Sequence, residues 1–564
     1  MNIVIILLTV WILLFSIIGY GKLTCQIIFG RSYISNNIGE FGLFGIIFIS
    51  FISTFLHFFF PINQLISSVI YCVGIFLFLF SLEKEFFTKK KILVFIVLLL
   101  ISLLMLAYHK PNEDWGYYHL PYLINFISEK VIFGLSTLHA NQGWNSMWLN
   151  FTATFNLPLL GINAFHFANI IFFFYLFNFF LEAINKKLIK DYFDSIAKIF
   201  SLVFLLYFTV KFSRLNSYGL DIPSNFFVIV VFYLFIKFFI STDIDYKNII
   251  FQKITIYSLY SVLIKLSNAL IVLLPITILF FGNIKIFTRG FIFCILFFFI
   301  WTIQQFIYTG CFLFPVVQTC LDVSWYNSGA VQGFLDHTLG MNKSFAQYKG
   351  NLSELEYSSN FNWVPTWFER TKVEALEHLF TFLFLFLLVM ISLNFSKKNI
   401  IKKFTYVSIK KIRMVLFLLL FIIAIQILFW FQNSPLVRFG FNYILLFIFF
   451  IIVLLFKNSF FKDIDIKFIY ILIFLAIFFN FQKNIFRIKN DINNNHTFFY
   501  TYPKTTYHQE HTNLDRNNLN YLGNDSLYCW DVPAICSYVS DIRSENINSY
   551  IFIKQFIYKN TQIK

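Results

Sequence analysis

A chain of 564 residues with 58% hydrophobic and 13% charged side chains, at a mean hydropathy of +0.71, lies outside the range of soluble globular proteins. Its formal net charge of +16 would point to nucleic acid in a soluble protein, but the basic residues sit in short links between apolar runs, where they set membrane orientation. Composition therefore excludes a soluble enzyme and a nucleic-acid binder, and leaves a polytopic protein whose first partner is the lipid bilayer.

Runs long enough to cross a hydrocarbon core of about 30 Å fall near 2–20, 42–60, 65–82, 92–108, 159–185, 199–213 and 222–241. They continue near 253–266, 268–283, 289–308, 373–394, 413–431, 439–456 and 467–482. The fold class is an all-α polytopic membrane protein with about 14 transmembrane helices, or 12–14 where neighbours split or fuse. The first span lacks a small-residue cleavage site and is read as retained. Splitting the run Tyr257 to Phe281 at Lys265-Leu266-Ser267-Asn268 places a costly lysine at a helix end rather than at the bilayer centre.

The split also fixes orientation. The clusters Lys89-Lys90-Lys91, Lys186-Lys187, Lys285 with Arg289, and Lys397-Lys398 through Arg413 then share one side, cytoplasmic by the positive-inside rule. The segments 109–158 and 309–372, the links around Asp221 and Arg438, and the tail from 483 face outward. Three units follow: an N-terminal three-helix segment (1–91), a transmembrane module with the two outward loops (92–482) and a small extracytoplasmic domain (483–564).

The acids and cations on that outward side form a set. Glu113 and Asp114 open the first loop in Glu113-Asp114-Trp115-Gly116-Tyr117-Tyr118-His119; Arg214 and Asp221 flank Asn216 to Leu220; Lys265 lies at the split; and Arg438 ends Ser434-Pro435-Leu436-Val437-Arg438. A carboxylate can take the proton of an attacking hydroxyl. Lysine and arginine can hold a phosphate that leaves with growing charge. No nucleotide is supplied outside the membrane, so a lipid-linked phosphate is the natural activated donor, and the chemistry expected is transfer of a group from a polyprenyl phosphate.

Of the seven cysteines, Cys311 and Cys320 share one outward segment, and Cys529 and Cys536 share the tail. These spacings could close small disulfide loops in an oxidising compartment, with free thiols as the alternative. No solenoid repeat or low-complexity linker divides the chain. The tail, with strand-like runs such as Ser549 to Ile553, is expected to pack over the membrane part rather than to catalyse.

The acidic motif Glu113-Asp114 in the first large outward loop, the amphipathic segments after it and the second acidic link at Asp221 resemble the GT-C superfamily of integral-membrane glycosyltransferases. More narrowly, the motifs Glu113 to Pro121, Tyr218 to Pro223, Thr309 to Pro315, Pro435 to Phe439 and Cys529-Trp530-Asp531 together look like a bacterial family of large, little-characterised membrane proteins, generally regarded as GT-C-like. The resemblance implies a catalytic carboxylate at Asp114 or Glu113, a polyprenyl-phosphate sugar donor, and a glycan, lipid or protein acceptor. Asp221, Lys265, Arg438, His119, Tyr118 and Arg214 would bind substrate. It also implies the bacterial inner membrane, with the site facing the periplasm. Three additional spans stand ahead of the one that carries the acidic loop.

Each residue has a structural alternative. Glu113 and Asp114 suit the first turn of a helix starting near Trp115, and Asp221 before Ile222-Pro223 suits an N-cap. Arg438 and Lys265 suit snorkelling anchors, and Trp115, Trp144 and Trp148 suit an interfacial aromatic belt. Glu113, Asp114 and Asp221 could also surround a divalent cation, Mg or Mn, although no spacing demands it. Two other functions stay open, a lipid-linked oligosaccharide flippase and an O-antigen-type polymerase. The spans are nearly free of the charges a flippase path requires, and the outward loops are poor in arginine for a polymerase.

Overall fold

The computed structural model describes residues 3–31, 33, 37–81, 88–107, 114–185, 192–241, 243–281, 284–326, 328–344, 354–395, 406–455, 465–493, 513–515, 519–521, 529–537 and 542–555. The chain begins with α1 (Ile3–Phe29), α2 (Ile38–His57), α3 (Gln64–Phe80) and α4 (Lys89–Ala107). A segment of short helices follows: α5 (Leu120–Ser128), α6 (Leu135–Leu138) and α7 (Met147–Ala153). Then come α8 (Ala168–Asn185), α9 (Tyr192–Lys211), α10 (Asp221–Ile240), α11 (Ile244–Ile264), α12 (Leu273–Phe281) and α13 (Arg289–Thr309). The second outward segment holds α14 (Ser328–Ser344) and α15 (Glu354–Ser359), and α16 (Val364–Asn394), α17 (Tyr406–Asn433), α18 (Val437–Leu455) and α19 (Ile466–Asn493) complete the helices.

Every expected span falls on a helix: α1–α4, α8–α13 and α16–α19. Among the described residues nine helices are long and apolar enough to cross a membrane, and three shorter apolar helices accompany them. The helices α9 and α11 stand outside both sets because they carry charges used inside the bundle. Asp194 of α9 pairs with Lys237 of α10 at 3.1 Å, and Lys253 of α11 pairs with Glu40 of α2 at 2.8 Å. An intramembrane ion becomes tolerable when its partner comes from the neighbouring helix.

One continuous apolar core runs from α1 to α19. The N-terminal helices are part of it, since α2 packs on α7, α8 and α13. The crossing of α1 and α2 depends on close backbone approach: a Cβ on Gly21 would lie 1.7 Å from the Phe41 carbonyl oxygen. Small residues at such crossings let helices meet without a hydrophobic driving force.

The first outward segment is not a surface loop. Residues 120–127 and 145–155 are almost wholly buried, and α7 packs against α2, α5 and α11. Its amides explain how: fully buried Asn150 accepts from Tyr122 Oη at 2.6 Å and donates to Thr54 Oγ1 at 2.9 Å and Gln304 Oε1 at 3.0 Å. Non-helical backbone at membrane depth survives only when buried in protein with its polar groups satisfied. This burial also corrects the aromatic-belt reading. Trp115 and Trp148 are 1% and 0% exposed, and Trp148 donates to the Tyr218 carbonyl at 3.1 Å.

The split at Lys265 is a real break. The chain leaves α11 at Ile264, makes a tight turn over Leu266–Val272 and re-enters the bundle as α12. Asn268 holds the turn, donating to Ser224 Oγ at 2.7 Å and Ser261 Oγ at 2.9 Å while accepting from Tyr443 Oη at 2.8 Å.

In the C-terminal segment, β1 (Asn513–Asp515) pairs antiparallel with β2 (Leu519–Tyr521), and β2 pairs parallel with β3 (Cys536–Ser537). A separate hairpin joins β4 (Ile542–Ile547) to β5 (Tyr550–Gln555) through Asn548 and Ser549, both at positive φ, as a two-residue hairpin turn requires. The helix α19 runs past the expected boundary at 482 to Asn493. Disulfides join Cys311 to Cys320 and Cys529 to Cys536. The second loop is pinned to the first outward segment: Trp530 N–H donates to the Gly116 carbonyl at 3.1 Å, and a Cβ on Gly116 would meet the Trp530 ring at 2.3 Å. The hairpin docks alongside, with Ile553 N–H donating to the Phe133 carbonyl at 2.8 Å and Phe552 stacked on Phe133 at 4.3 Å.

Candidate functional site

Four charged residues from four separate parts of the chain form one alternating cluster: Asp114, Arg438, Asp221 and Lys265. Arg438 Nη1 donates to Asp114 Oδ2 at 2.9 Å, and its Nε lies 3.6 Å from Asp221 Oδ2. Lys265 Nζ donates to Asp221 Oδ1. Both cations lie over the ring of Phe439, a face whose negative quadrupole favours them.

Local structure aims each side chain. Asp114 precedes a wide helical turn over Trp115–His119 but makes no capping hydrogen bond there, so its carboxylate is spent on Arg438 rather than on the helix. Asp221 is the first residue of α10, whose N-terminus likewise has no side-chain cap. The capping and anchoring alternatives thus give way to ion pairing for Asp114, Asp221, Lys265 and Arg438. Arg438 keeps 41% of its side-chain surface exposed against 17% for Lys265, which makes the arginine the more accessible cation.

The cluster opens on a cavity of about 1090 Å³. Asp114, Tyr117, Tyr118, Lys265 and Arg438 line one part of it. The remaining wall comes from residues 136–146, from the loop closed by Cys311–Cys320, from α14 and from the end of α17. Burial pushes the Lys265 ammonium down to about 8, against the opposing pull of Asp221. The Tyr118 hydroxyl is pushed up by burial and by the carboxylates of Asp114 and Asp221.

His119 stands behind the cluster, 4% exposed, with neither ring nitrogen in a hydrogen bond among the described residues. Burial lowers its pKa to about 4, so the ring is neutral at pH 7. Arg214 does not join the others: it is exposed on the link after α9, close enough to Lys483 of α19 for the two cations to repel. Glu113 lies outside the described residues. Asp114 and Asp221 each meet a cation, and among the described residues no group of three or more His, Cys, Asp or Glu could hold a metal ion. Asp114 and Asp221, each already paired with a cation, do not by themselves offer a hard divalent cation a site, and no step is derived through one.

Several site residues escape sequence reasoning. Phe439 underlies both cations, and Glu374 of α16 sits within electrostatic reach of Arg438 and Asp221. Trp144 and Tyr117 line the cavity as well. Adjacency to Arg438 was a signal for Phe439; the others carry none, because aromatic residues and a single acid near the polar end of a long helix are ordinary in a membrane protein.

A family described as a domain of unknown function, DUF8201, matches residues 3–445, which include all four residues of the cluster. No curated protein and no solved structure matches the chain.

Proposed function

We propose that this chain, which belongs to the DUF8201 family, is a GT-C-type glycosyltransferase that moves a sugar from a polyprenyl-phosphate donor to a cell-envelope acceptor. The reaction is placed on the periplasmic face of a bacterial inner membrane. The observation that supports it is the alternating cluster Asp114–Arg438–Asp221–Lys265 at the wall of a large cavity.

The chemistry follows from the pairing. A donor phosphate competes with Asp114 for the exposed Arg438 guanidinium, which offers several N–H donors in a planar fork. Asp114, released from its partner, then accepts a hydrogen bond from the acceptor hydroxyl. The acceptor oxygen attacks the anomeric carbon as the bond from that carbon to the phosphate oxygen breaks. The hydroxyl proton passes to Asp114, and the electron pair leaves with the polyprenyl phosphate, whose charge Arg438 and Lys265 stabilise. Asp221 holds the two cations in place between turnovers.

The test is incubation of the full-length protein in lipid nanodiscs with a panel of polyprenyl-phosphate sugars and a membrane-lipid extract as acceptor. Wild type should consume one donor; Asp114→Asn should fold normally and consume none. Normal transfer by that variant would reject the role of Asp114. Failure of wild type on every donor would turn the reading toward a flippase or an O-antigen-type polymerase.

A further inference from the structure

We propose, resting on the transferase reading, that the neutral wall of the cavity is an acceptor site for a glycan of several uncharged sugar residues, held on Trp144 and the aromatic residues beside it. The charged residues of the wall, Asp114, Lys265 and Arg438, belong to a single cluster. What remains, apart from His139, His337 and the thioether of Met341, is aromatic, amide, hydroxyl or aliphatic.

Three features give that wall a ligand class. Its first is an aromatic platform: Trp144 packs 5.7 Å from Phe314 and 5.9 Å from Phe334, and those two rings stack at 5.2 Å. A pyranose presents an axial C–H face that packs on such a surface, and rigid rings give contact area at little cost in side-chain entropy. The second is amide chemistry. Asn141, Asn342, Asn433, Gln318 and Gln332 line the same cavity, and each amide offers both donor and acceptor to a hydroxyl-rich ligand.

The third is size and rigidity. At about 1090 Å³ the cavity sits above the range of roughly 300–1,000 Å³ that suits drug-sized ligands, so one transferred sugar does not fill it. The Trp144 indole is fixed by donating to Asn141 Oδ1 at 3.1 Å, and the Phe314 loop is closed by the Cys311–Cys320 disulfide. A peptide acceptor would call for unpaired strand edges, and a lipid acceptor for a continuous apolar groove. This wall instead interleaves rings with amides.

Burial holds the His139 ring near a pKa of about 3, and its Nδ1 accepts from the Asn141 backbone N–H, so it adds no charge to the wall.

The test separates binding from turnover. Full-length protein in nanodiscs, without donor, is titrated with neutral gluco-oligosaccharides and N-acetylglucosamine oligomers of two to six residues, and intrinsic tryptophan fluorescence is read. Saturable binding that tightens with oligomer length, weakens at least tenfold in Trp144→Ala and is largely kept in Trp144→Phe supports the site. Unchanged melting temperature in Trp144→Phe guards against misfolding. No saturable binding by any oligomer, or equal binding in Trp144→Ala, overturns the inference even if donor is still consumed. Length-dependent binding without donor consumption keeps the glycan site and removes the transferase.

Discussion

Lys265 is a cation with a narrow working range. Its ammonium is complete below a pKa of about 8 and is lost as the pH rises through that value, because burial depresses it from the ordinary lysine range. If it holds the donor phosphate, the donor KM rises above pH 8 while Lys265→Arg, which stays charged, keeps it flat. Parallel profiles for the two proteins would remove Lys265 from phosphate binding. His119 gives a second titration of known sign. Its folded pKa of about 4 lies below the unfolded value of about 6.5, so the unfolded chain binds the proton first and stability falls as the pH drops between those values. His119→Phe removes a buried ring with two unmet nitrogens and replaces it with one of similar shape. Thermal unfolding midpoints at pH 7 and pH 4.5 should therefore converge in the variant by the equivalent of roughly 3 kcal/mol; an identical acid loss in both proteins would contradict this.

At the scale of elements, the segment from α5 to α7 is what makes the site rigid. It enters the bundle through amides, and Asn150 bonds at once to Tyr122, Thr54 and Gln304. Asn150→Ala removes all three bonds and leaves Gln304 Oε1 without its donor, while Thr54 keeps Ser50 and Tyr122 keeps Asn145, at a cost of about 1–3 kcal/mol for the unsatisfied carbonyl. The melting temperature of the nanodisc-embedded protein should drop clearly, and a shift within error would show that water replaces the amide. This segment is also where sequence reading reached its limit. An acid or a lysine beside an apolar run stands out, since it is costly in lipid, so Asp114, Asp221, Lys265 and Arg438 were legible one by one. Trp115, Trp148 and Asn150 were not, because a tryptophan or an amide near a membrane interface has the same composition whether it faces headgroups or the protein core. The pairing of Asp114 with Arg438 was equally hidden: it joins residues 324 positions apart, and a single sequence carries no record of such contacts.

Across the whole molecule, the polar groups separate into two levels of the bundle. The cluster around Arg438 lies where α10 and α18 begin and α11 ends, while Glu40, at the start of α2, meets Lys253 well before that end of α11. If the lysine-rich links face the cytoplasm, as the positive-inside rule expects, the second level lies nearer to it. A cysteine introduced at Ser359 should then react with a membrane-impermeant maleimide in intact cells, and one at Lys285 only after permeabilisation. Reaction at Lys285 from outside, with Ser359 reached only after permeabilisation, would invert the orientation and move the site to the cytoplasmic face. The order of helices along the chain was readable from hydropathy. Sequence reading counted α9 and α11 among the spans, yet a helix that shares ions with its neighbours is more polar than the rest, so both stand outside the nine long apolar helices among the described residues.

The C-terminal hairpin has a consequence for biogenesis. Ile542 contributes to the cavity wall, and Trp530 closes against Gly116, two residues from Asp114. During synthesis that wall becomes whole only after the C-terminal segment has been made and has docked on the first segment of short helices. A ribosome-bound chain therefore carries the charged cluster without its enclosure.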